Sequence, residues 1–465
     1  MPVTFATPLR NRTYVLLFSS QVISLLGTGI STVALALLAY ELSGGNAGIV
    51  LGTALALKMI SYVIVAPVAG AFSHHISRRK LLIGLDVIRA LSVLLLPFVS
   101  EIWHIYVLIL IISSASAAFT PVFQATIPDL FPDEKVYTRA LSLSRLAYDI
   151  EKLLSPSIAA FVLLFASFDA LFAANSIAFL LSAALILATR LPRQSPNNHK
   201  RGLLGQLGFG MMNYLKTPRL RALLGLCFCV SAAGAMMIVN TVVYVREHLS
   251  LDERDVALAM VCAGMGSIVA AILVPRLIER FGERRLMLPA GFILSVMLGL
   301  ILLGPTFSGL ALLWLMMGLS SSLILTPSGR LLRRSAISGD LPALFAAQFS
   351  LSHACWLVTY PLAGFLGVTY GLEATAGILA GMAFVGALSA VWLWPRYDPE
   401  IIMHEHHRLT HEHLHVHDFH HSHSHSHEEW EGTEPHSHPH THAPVRHAHS
   451  FAIDMHHPHW PESAG

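Results

Sequence analysis

The chain has 465 residues, of which 54% are hydrophobic and only 12% charged, with a formal net charge of +2. Soluble globular domains carry about 25% charged residues, so this composition excludes an ordinary water-soluble protein and indicates that lipid surrounds most of the chain. The charge is also divided. From Arg396 to the end there are three arginines and eleven acidic residues, which leaves the preceding part strongly basic.

Twelve apolar runs follow one another along the chain, each near the roughly 20 residues that a membrane-spanning helix needs. We therefore expect an all-α integral membrane protein of 12 transmembrane helices in two six-helix pseudo-repeats, with a disordered C-terminal tail. The predicted domains are a six-helix bundle at 1–190, a linker at 191–218, a second six-helix bundle at 219–396 and a His-rich tail at 397–465. The runs lie at 14–40, 46–72, 81–99, 105–128, 142–166, 170–190, 220–244, 255–278, 286–304, 309–329, 343–369 and 372–395.

The loops between these runs are of two kinds. One kind, such as "ELSGGNAG" and "GPTFSG", is nearly free of Lys and Arg, and the other, such as "SRRK" and "ERFGERR", is basic. The positive-inside rule places the basic loops in the cytoplasm, so both termini are expected there. The long first run lacks a small-residue cleavage site, which predicts no cleavable signal. All four cysteines lie in apolar segments, which argues against a disulfide scaffold.

The second half of the chain repeats the first at an offset of about 205 residues. Parallel repeats of this kind are a recurrent design of transporters. The matching pairs are "GAFSHHISRRK" at 70–80 with "PRLIERFGERR" at 275–285, Thr120–Pro121 with Thr326–Pro327, and Pro156 with Pro361.

The loops at 70–80 and 275–285 resemble the two copies of the signature of the major facilitator superfamily, G-x-L-x-D-R-x-G-R-R/K. His74 stands where the family has an aspartate, and Pro275 stands where the second copy has a glycine. The resemblance covers roughly 14–395 and implies the major facilitator fold. The gating-loop residues it implies are Gly70, His74, Arg78, Arg79, Glu279, Arg280 and Gly282.

With its His-rich end, the whole chain resembles the nickel-resistance exporters of bacteria. That resemblance implies proton-coupled efflux of nickel, with cobalt as a second cargo, across the inner membrane. It implies a secondary active transporter and not an enzyme, with no required cofactor. The chain has no G-x-x-x-x-G-K-S/T loop for ATP hydrolysis. The expected partners are the metal ion, protons and the bilayer, with no nucleic acid, and the protein is expected to be a monomer.

Ionisable residues inside a membrane span are functional candidates by default, and the fifth span has the most of them. At helical spacing Arg145 and Asp149 share a face, as do Asp149 and Lys152. One interpretation is a mutually neutralised ion-pair cluster at the inner gate. The other is that Asp149 or Glu151 binds a metal ion and a proton alternately, as antiport requires.

Two further candidates for transport or coupling lie in other spans. Lys58, in the second span, would repel a divalent cation unless it is neutral or paired, for example with Glu151. His353, in the eleventh span, is either a hydrogen-bonded core residue or faces the fifth span across a central cavity. Asp86 and Arg89 are expected to pair near the cytoplasmic end of the third span. Interhelical hydrogen bonds are expected of Gln21, Gln124, Asn175 and Asn240.

The tail holds 21 of the 27 histidines, between His404 and His459. Neutral imidazole is a good ligand for divalent Ni, Co, Zn and Cu, so metal capture is the expected role of the tail. Two alternatives to metal capture are an affinity tag and a pH sensor. A tag would be one contiguous run of histidines, whereas these are dispersed between His404 and His459; imidazoles can form a pH sensor. The candidate ligands are His404, His406, His407, His411, His413, His415, His417, His420, His421, His423, His425, His427, His436, His438, His440 and His442.

Two other functions stay open at this point. The same fold could carry an organic compound or drug while the tail buffers metal separately. The protein could also be a membrane-anchored metal-storage module that transports little.

Overall fold

A computed structural model describes residues 7–43, 47–72, 76–191, 203–251, 253–336, 340–396, 398, 402–406, 409–415, 436–442 and 445–449. Thirteen α-helices make up nearly all of the described body. They are α1 (Arg12–Ser43), α2 (Ala47–Phe72), α3 (Arg78–Leu94), α4 (Ile102–Leu130), α5 (Glu134–Leu163), α6 (Asp169–Leu187), α7 (Leu203–Lys216), α8 (Pro218–Val243), α9 (Glu253–Leu300), α10 (Phe307–Leu325), α11 (Ser328–Arg334), α12 (Leu341–Tyr370) and α13 (Leu372–Leu393).

The helices account for the predicted twelve spans. By length and composition, ten described segments can cross a membrane, and one of them, Leu258–Leu303, is 46 residues long. The backbone of that segment breaks at Gly282, whose φ of 75° and ψ of 165° divide α9 into the eighth and ninth spans. The fifth span, α5, is the remaining one and carries the charged residues predicted for it. Its first turn is capped by the Asp133 carboxylate, which accepts from the amides of Lys135 and Val136.

A bilayer explains both the helices and their surfaces. In hydrocarbon the backbone groups find no water, so helices that satisfy them internally are favoured. Large apolar side chains point outward over the body: Phe98, Val368 and Trp392 are 79%, 92% and 85% exposed. In water such a surface would be costly, whereas against lipid it is the expected exterior.

The two halves meet through two related helix pairs. Helix α2, the second span, packs on α12, the eleventh, and α5, the fifth, packs on the first part of α9, the eighth. The internal repeat relates one pair to the other, because the second span corresponds to the eighth and the fifth span to the eleventh. The interior between the halves is therefore bordered by equivalent helices from each repeat.

Small residues allow α9 and α10 to pack closely. A Cβ added at Gly318 would meet the backbone of Ala263 in α9, and one added at Gly266 would meet the carbonyl group of Leu315 in α10. Glycines at helix contacts are typical of membrane proteins, where close backbone approach replaces the hydrophobic driving force.

The linker contains a helix that the predicted polar segment 191–218 did not include. Residues Leu203–Lys216 form α7, with the sequence LLGQLGFGMMNYLK. Its apolar residues allow it to pack against α2, α8 and α12, and the side chains of Asn213 and Tyr214 are buried. The linker is thus partly a docked element of the bundle.

Four short segments of the tail are described as strands. Strands β1 (Ile402–His406) and β4 (Val445–His449) form one antiparallel pair, and β2 (Leu409–His415) and β3 (His436–His442) form another. The alternation of histidine with a second residue type in these segments has the period of two that an extended strand requires. The "HSHSHSH" run at 421–427 lies outside the described residues.

Candidate functional site

A cavity of about 410 Å³ lies between the two halves, with walls from α1 to α5 on one side and from α8 and α10 to α12 on the other. Its lining combines aromatic, amide, hydroxyl and aliphatic side chains, and it contains no aspartate or glutamate among the described residues. Among the described residues, two arginines and one histidine supply its basic groups. The aromatic and amide residues are Gln21, Tyr62, Phe123, Gln124, Tyr148, Phe345, Gln348, Phe349 and Trp356.

His353 lies in the cavity wall within a cluster of rings. Its ring centroid is 4.1 Å from that of Phe349 and 4.8 Å from that of Tyr62, which approaches edge-on from α2. Its Nδ1 atom is 2.7 Å from the carbonyl oxygen of Phe349. The Nζ atom of Lys58 lies 5.7 Å from the centroid of the Tyr62 ring. Lys58 and His353, predicted separately, are therefore both in contact with Tyr62.

Arg145 and Asp149 form the ion pair that their spacing predicts, with 3.1 Å between Nη2 and Oδ1. The same pair reaches the other half of the molecule, because Ser267 of α9 donates to Asp149 Oδ2 over 2.6 Å. Ser267 Oγ in turn accepts from Arg145 Nη2 at 3.0 Å. Arg145 lines the cavity, and Asp149, which is 1% exposed, lies behind it. The fifth span and His353 thus border one cavity, as the repeat suggested.

Glu151 takes a different direction from Asp149, as a separation of two residues on a helix requires. Its carboxylate lies against Gly29 of α1, where an added Cβ would meet Oε1. It is not among the described residues that line the cavity. Lys152 lies next to it in α5, and the side chain of Lys152 is outside the described part of the structure.

Asp86 and Arg89 pair as predicted, but at the middle of the third span instead of near its end. Ser182 also donates to Asp86 at 2.7 Å. The Arg89 guanidinium lies between the rings of Phe119 and Phe179, 4.2 and 4.4 Å from their centroids. Arg89 borders the cavity with its charge balanced from within its own helix.

Three of the four predicted interhelical amides have the expected hydrogen bonds. Gln21 accepts from Ser144 at 3.0 Å, Asn175 donates to Ser31 at 2.7 Å and Asn240 donates to the carbonyl of Ala363 at 3.3 Å. These contacts join α1 to α5, α1 to α6, and α8 to α12.

A chain of polar contacts on the other wall was not predicted. Gln348 of α12 donates to Cys227 of α8 at 3.3 Å and accepts from the Tyr214 hydroxyl of α7 at 2.5 Å. Burial raises the pKa of Tyr214 well above its ordinary value, so the hydroxyl stays protonated as a donor. Cys229 faces away, donating to the carbonyl of Ala383 at 3.0 Å, so Cys227 and Cys229 do not form a chelating pair.

Ion pairs join the halves at the end of the bundle that holds α7, α11 and the first turn of α5, the linker end. Arg330 Nε is 2.7 Å from Glu134 Oε1 of the first half and 2.6 Å from Glu283 Oε1 of its own half. Arg333 donates to the carbonyl groups of Phe131 and Pro132 at 3.0 and 2.7 Å. The cavity can open at this end only if these contacts separate.

Some gating-loop residues make contacts within one half of the bundle, and others make contacts between the halves at the linker end. Arg78 pairs with Asp129, and Arg79 donates to the carbonyl of Leu187, both within the first half. Glu279 lies 3.7 Å from Arg139 and so crosses between the halves. Gly70 packs on Ala346 of α12, and the Arg280 guanidinium lies 5.2 Å from the Phe281 ring centroid. Gly282 is at the backbone break, and His74 lies outside the described residues.

In the tail, the backbone register places histidine opposite histidine. The β2–β3 pairing sets His411 opposite His440, His413 opposite His438, and His415 opposite His436. In the other ladder His404 is opposite His447. Opposed residues share a face, and so do positions two apart on a strand. Together with His442, which is two positions from His440 and opposite Leu409, seven histidines of β2 and β3 therefore lie on one face of a two-stranded ribbon.

Among the residues whose side chains are described, no three His, Cys, Asp or Glu side chains lie close enough to form a metal site. The tail histidines are outside that set. In the described part of the helical body, the candidate carboxylates are engaged with arginine, serine or a neighbouring helix.

The family model described as Major Facilitator Superfamily matches the chain twice, over residues 17–232 and 224–409. An uncharacterized MFS-type transporter of Bacillus subtilis strain 168, YfiS, is 25% identical over 306 residues, covering 63% of this chain and 68% of that protein. Macrolide efflux protein A of Streptococcus pyogenes is 25% identical over 182 residues, covering 38% of this chain and 44% of that protein. The match therefore spans less than half of the macrolide protein.

Solved structures share the fold. The human organic anion transporter MFSD10 superposes with a TM-score of 0.70 at 14% identity, covering 82% of this chain and 99% of its own. A bacterial homologue of the iron transporter ferroportin, in an outward-facing state, gives a TM-score of 0.68 at 12% identity with the same coverages. At these identities the likeness is one of fold alone.

Proposed function

Because the chain belongs to the major facilitator superfamily and is a multi-pass membrane transporter, not an enzyme, we propose that it exports divalent transition-metal ions in exchange for protons. Nickel is the proposed cargo, with cobalt as a second. The proposed setting is the inner membrane of a bacterium, and the proposed effect is resistance to the metal.

The register of the tail histidines is the observation that carries this proposal. Directly opposed residues in an antiparallel pair have Cβ atoms about 4.5–5.5 Å apart, a separation that two imidazoles can bridge through one ion. The three His–His pairs of β2 and β3 recur on one face, which supports several equivalent sites for Ni²⁺, Co²⁺, Zn²⁺ or Cu²⁺. The tail would collect the metal, and transport itself would belong to the helical body.

The orientation follows from the distribution of basic residues. The linker end carries most of the arginines of the loops, so it is proposed to face the cytoplasm. Both termini and the tail then lie on the side from which an exporter takes its cargo. The bilayer, the metal ion and protons are the proposed partners. Neither a nucleic acid nor a resident cofactor is required, and a monomer suffices because both halves of the cavity come from one chain.

Asp149 is the proposed coupling carboxylate. It binds Arg145 within the first half and Ser267 of the second half, so protonation would remove the charge that holds both. A proton arriving from outside could thereby loosen the contact between α5 and α9. Rocking of the two halves about the cavity would then expose the cavity to the other side of the membrane.

A second candidate function is export of an organic compound, with the tail as a separate metal buffer. The cavity favours it, since its described lining combines aromatic and aliphatic side chains with neutral hydroxyl and amide groups and lacks carboxylates. Such walls suit apolar molecules with a few polar groups. The partial match to macrolide efflux proteins points the same way.

Everted membrane vesicles distinguish these functions from a third, metal storage. Ni²⁺ accumulation that requires an imposed proton gradient and is released by an ionophore supports the proposal. Proton-dependent uptake of a macrolide without Ni²⁺ uptake supports the second candidate. Ni²⁺ that is retained without a gradient and is removed by washing with chelator indicates storage, and would overturn transport of the metal.

A further inference from the structure

Asp398 follows the last helix and lies at the root of the tail, four residues before β1 begins. Its side chain is only 7% exposed. Oδ1 is 3.0 Å from Nη1 of Arg219, the second residue of α8, whose side chain is 2% exposed. Oδ2 accepts from the indole nitrogen of Trp394 at 3.1 Å. A carboxylate in a polar segment that follows the last helix is usually solvated, so this burial between two specific partners requires an explanation.

The contacts of Asp398 continue into the ion pairs of the linker end. Arg334 Nη2 donates to the backbone carbonyl of Asp398 at 3.3 Å, and Arg219 donates to the carbonyl of Arg334 at 3.0 Å. Arg334 Nη1 is 3.3 Å from Glu283 Oε2, on the carboxylate whose other oxygen binds Arg330. Arg330 then reaches Glu134 of the first half.

Among the contacts of the described residues, the charges of this network balance. Three arginines, Arg219, Arg330 and Arg334, face three carboxylates, those of Glu134, Glu283 and Asp398. Each carboxylate comes from a different part of the fold: the start of α5, the turn after Gly282, and the segment beyond α13. Buried ion pairs are sensitive to loss of a member because the remaining charge stays desolvated. Removing Asp398 would leave Arg219 and Arg334 with one positive charge in excess.

We infer that Asp398 is a positioning residue of the gate at the linker end. By holding Arg219 and Arg334 it places Arg334 against Glu283, which in turn orients Arg330 toward Glu134 across the boundary between the halves. It thereby favours the state in which the linker end is closed. The inference concerns the transport cycle and holds whichever cargo the cavity carries.

The test measures the separation of the halves by electron–electron spin distance in lipid nanodiscs. Spin labels are placed at two exposed positions, Lys135 at the start of α5 and Arg285 after the Gly282 turn, in full-length protein whose four cysteines are replaced by serine. Asp398→Asn should raise the ratio of open to closed linker ends by about fivefold or more, the lower range of typical coupling effects. Asp398→Glu should restore most of the closed population. Asp169→Asn, which removes a carboxylate from the first turn of α6 and outside the network, should change nothing.

Two further variants separate positioning from general stability. Trp394→Phe removes one donor to Asp398 without changing any charge, and it should shift the distances in the same direction by a smaller amount. In a Glu134→Gln background the effect of Asp398→Asn should shrink, because residues in one network are non-additive. Unchanged distances in both Asp398→Asn and Trp394→Phe overturn the inference, as does an undiminished effect in the Glu134→Gln background. If Asp398→Asn does not reach the membrane, Trp394→Phe decides alone.

Discussion

Asp149 and Ser267 are joined by a hydrogen bond of 2.6 Å and belong to opposite halves of the bundle. The contact places a carboxylate that also binds Arg145 directly at the surface where the halves move past each other. A change in its protonation therefore acts on both the charge of the cavity wall and the adhesion of α5 to α9.

We predict that Asp149→Asn stops proton-driven accumulation of cargo in everted vesicles, since an amide cannot bind and release the proton. Ser267→Ala removes the bond and keeps the carboxylate, so it should weaken the coupling without abolishing it. Glu151→Gln tests the other carboxylate of α5, which lies against α1 and away from the cavity. Full transport by both amide variants would reject coupling through this helix.

The His–His register of β2 and β3 predicts unequal roles for the tail histidines. Replacement of His411, His413 and His415 by alanine removes one member of each opposed pair and should weaken Ni²⁺ binding by about tenfold or more, equivalent to about 1.4 kcal/mol. Replacement of His423, His425 and His427 removes as many imidazoles from the run between the strands and should cost less. Calorimetric titration of the full-length protein in detergent measures both, and equal losses would contradict a role for the register.

Deletion of the tail should have two different outcomes that depend on where the chain ends. A chain ending at residue 400 keeps Asp398 and should lose resistance at high metal concentration while still transporting. A chain ending at residue 396 also loses Asp398, and its linker end should open more readily. Growth in graded Ni²⁺ and vesicle uptake compare them. An inactive chain ending at 400 that still inserts would show that the tail is required for transport itself.

Two glycines test how closely the helices are packed. Gly318→Ala introduces a methyl group that meets the backbone of Ala263, and we expect a loss of about 1–3 kcal/mol, the usual cost of overpacking. At Gly381 an added Cβ meets nothing within 4 Å, so Gly381→Ala should be neutral or stabilise by up to about 1 kcal/mol. Thermal unfolding in detergent ranks the two variants, and similar melting temperatures would argue against the tight α9–α10 contact.

Much of the body could be predicted from the sequence because membrane helices are determined by local properties. Hydropathy and loop charge suffice for twelve spans, and helical periodicity suffices for the pairing of Arg145 with Asp149. Ser267 could not be identified in this way, since it lies 118 positions from Asp149 and no local rule joins them. His353 was a candidate because it is ionisable and lies inside an apolar run, and because the internal repeat relates its helix to α5.

The residues that reasoning from the sequence missed share one property, which is that their partners are distant in the chain. In the sequence Asp398 is one of eleven acidic residues in a polar segment, and nothing local distinguishes it. Its partner Arg219 lies 179 positions earlier. Tyr214 lies in a segment that composition describes as a linker, and its partner Gln348 is 134 positions away. Tertiary contacts, not local patterns, gave these residues their roles.

The docking of α7 changes where the molecule divides. Its Tyr214 hydroxyl binds Gln348 of α12, and Gly210 lies against Ala343 of the same helix, so α7 is anchored to the second half although it follows the first in the chain. Two separately expressed fragments that meet between residues 192 and 202 should then reassemble into a working transporter, because each keeps its own packed helices. A break after Lys216 would instead leave α7 on the wrong fragment. The covalent connection between the halves is thus not what holds the folded protein together. The α2–α12 and α5–α9 interfaces join the two halves into one transporter.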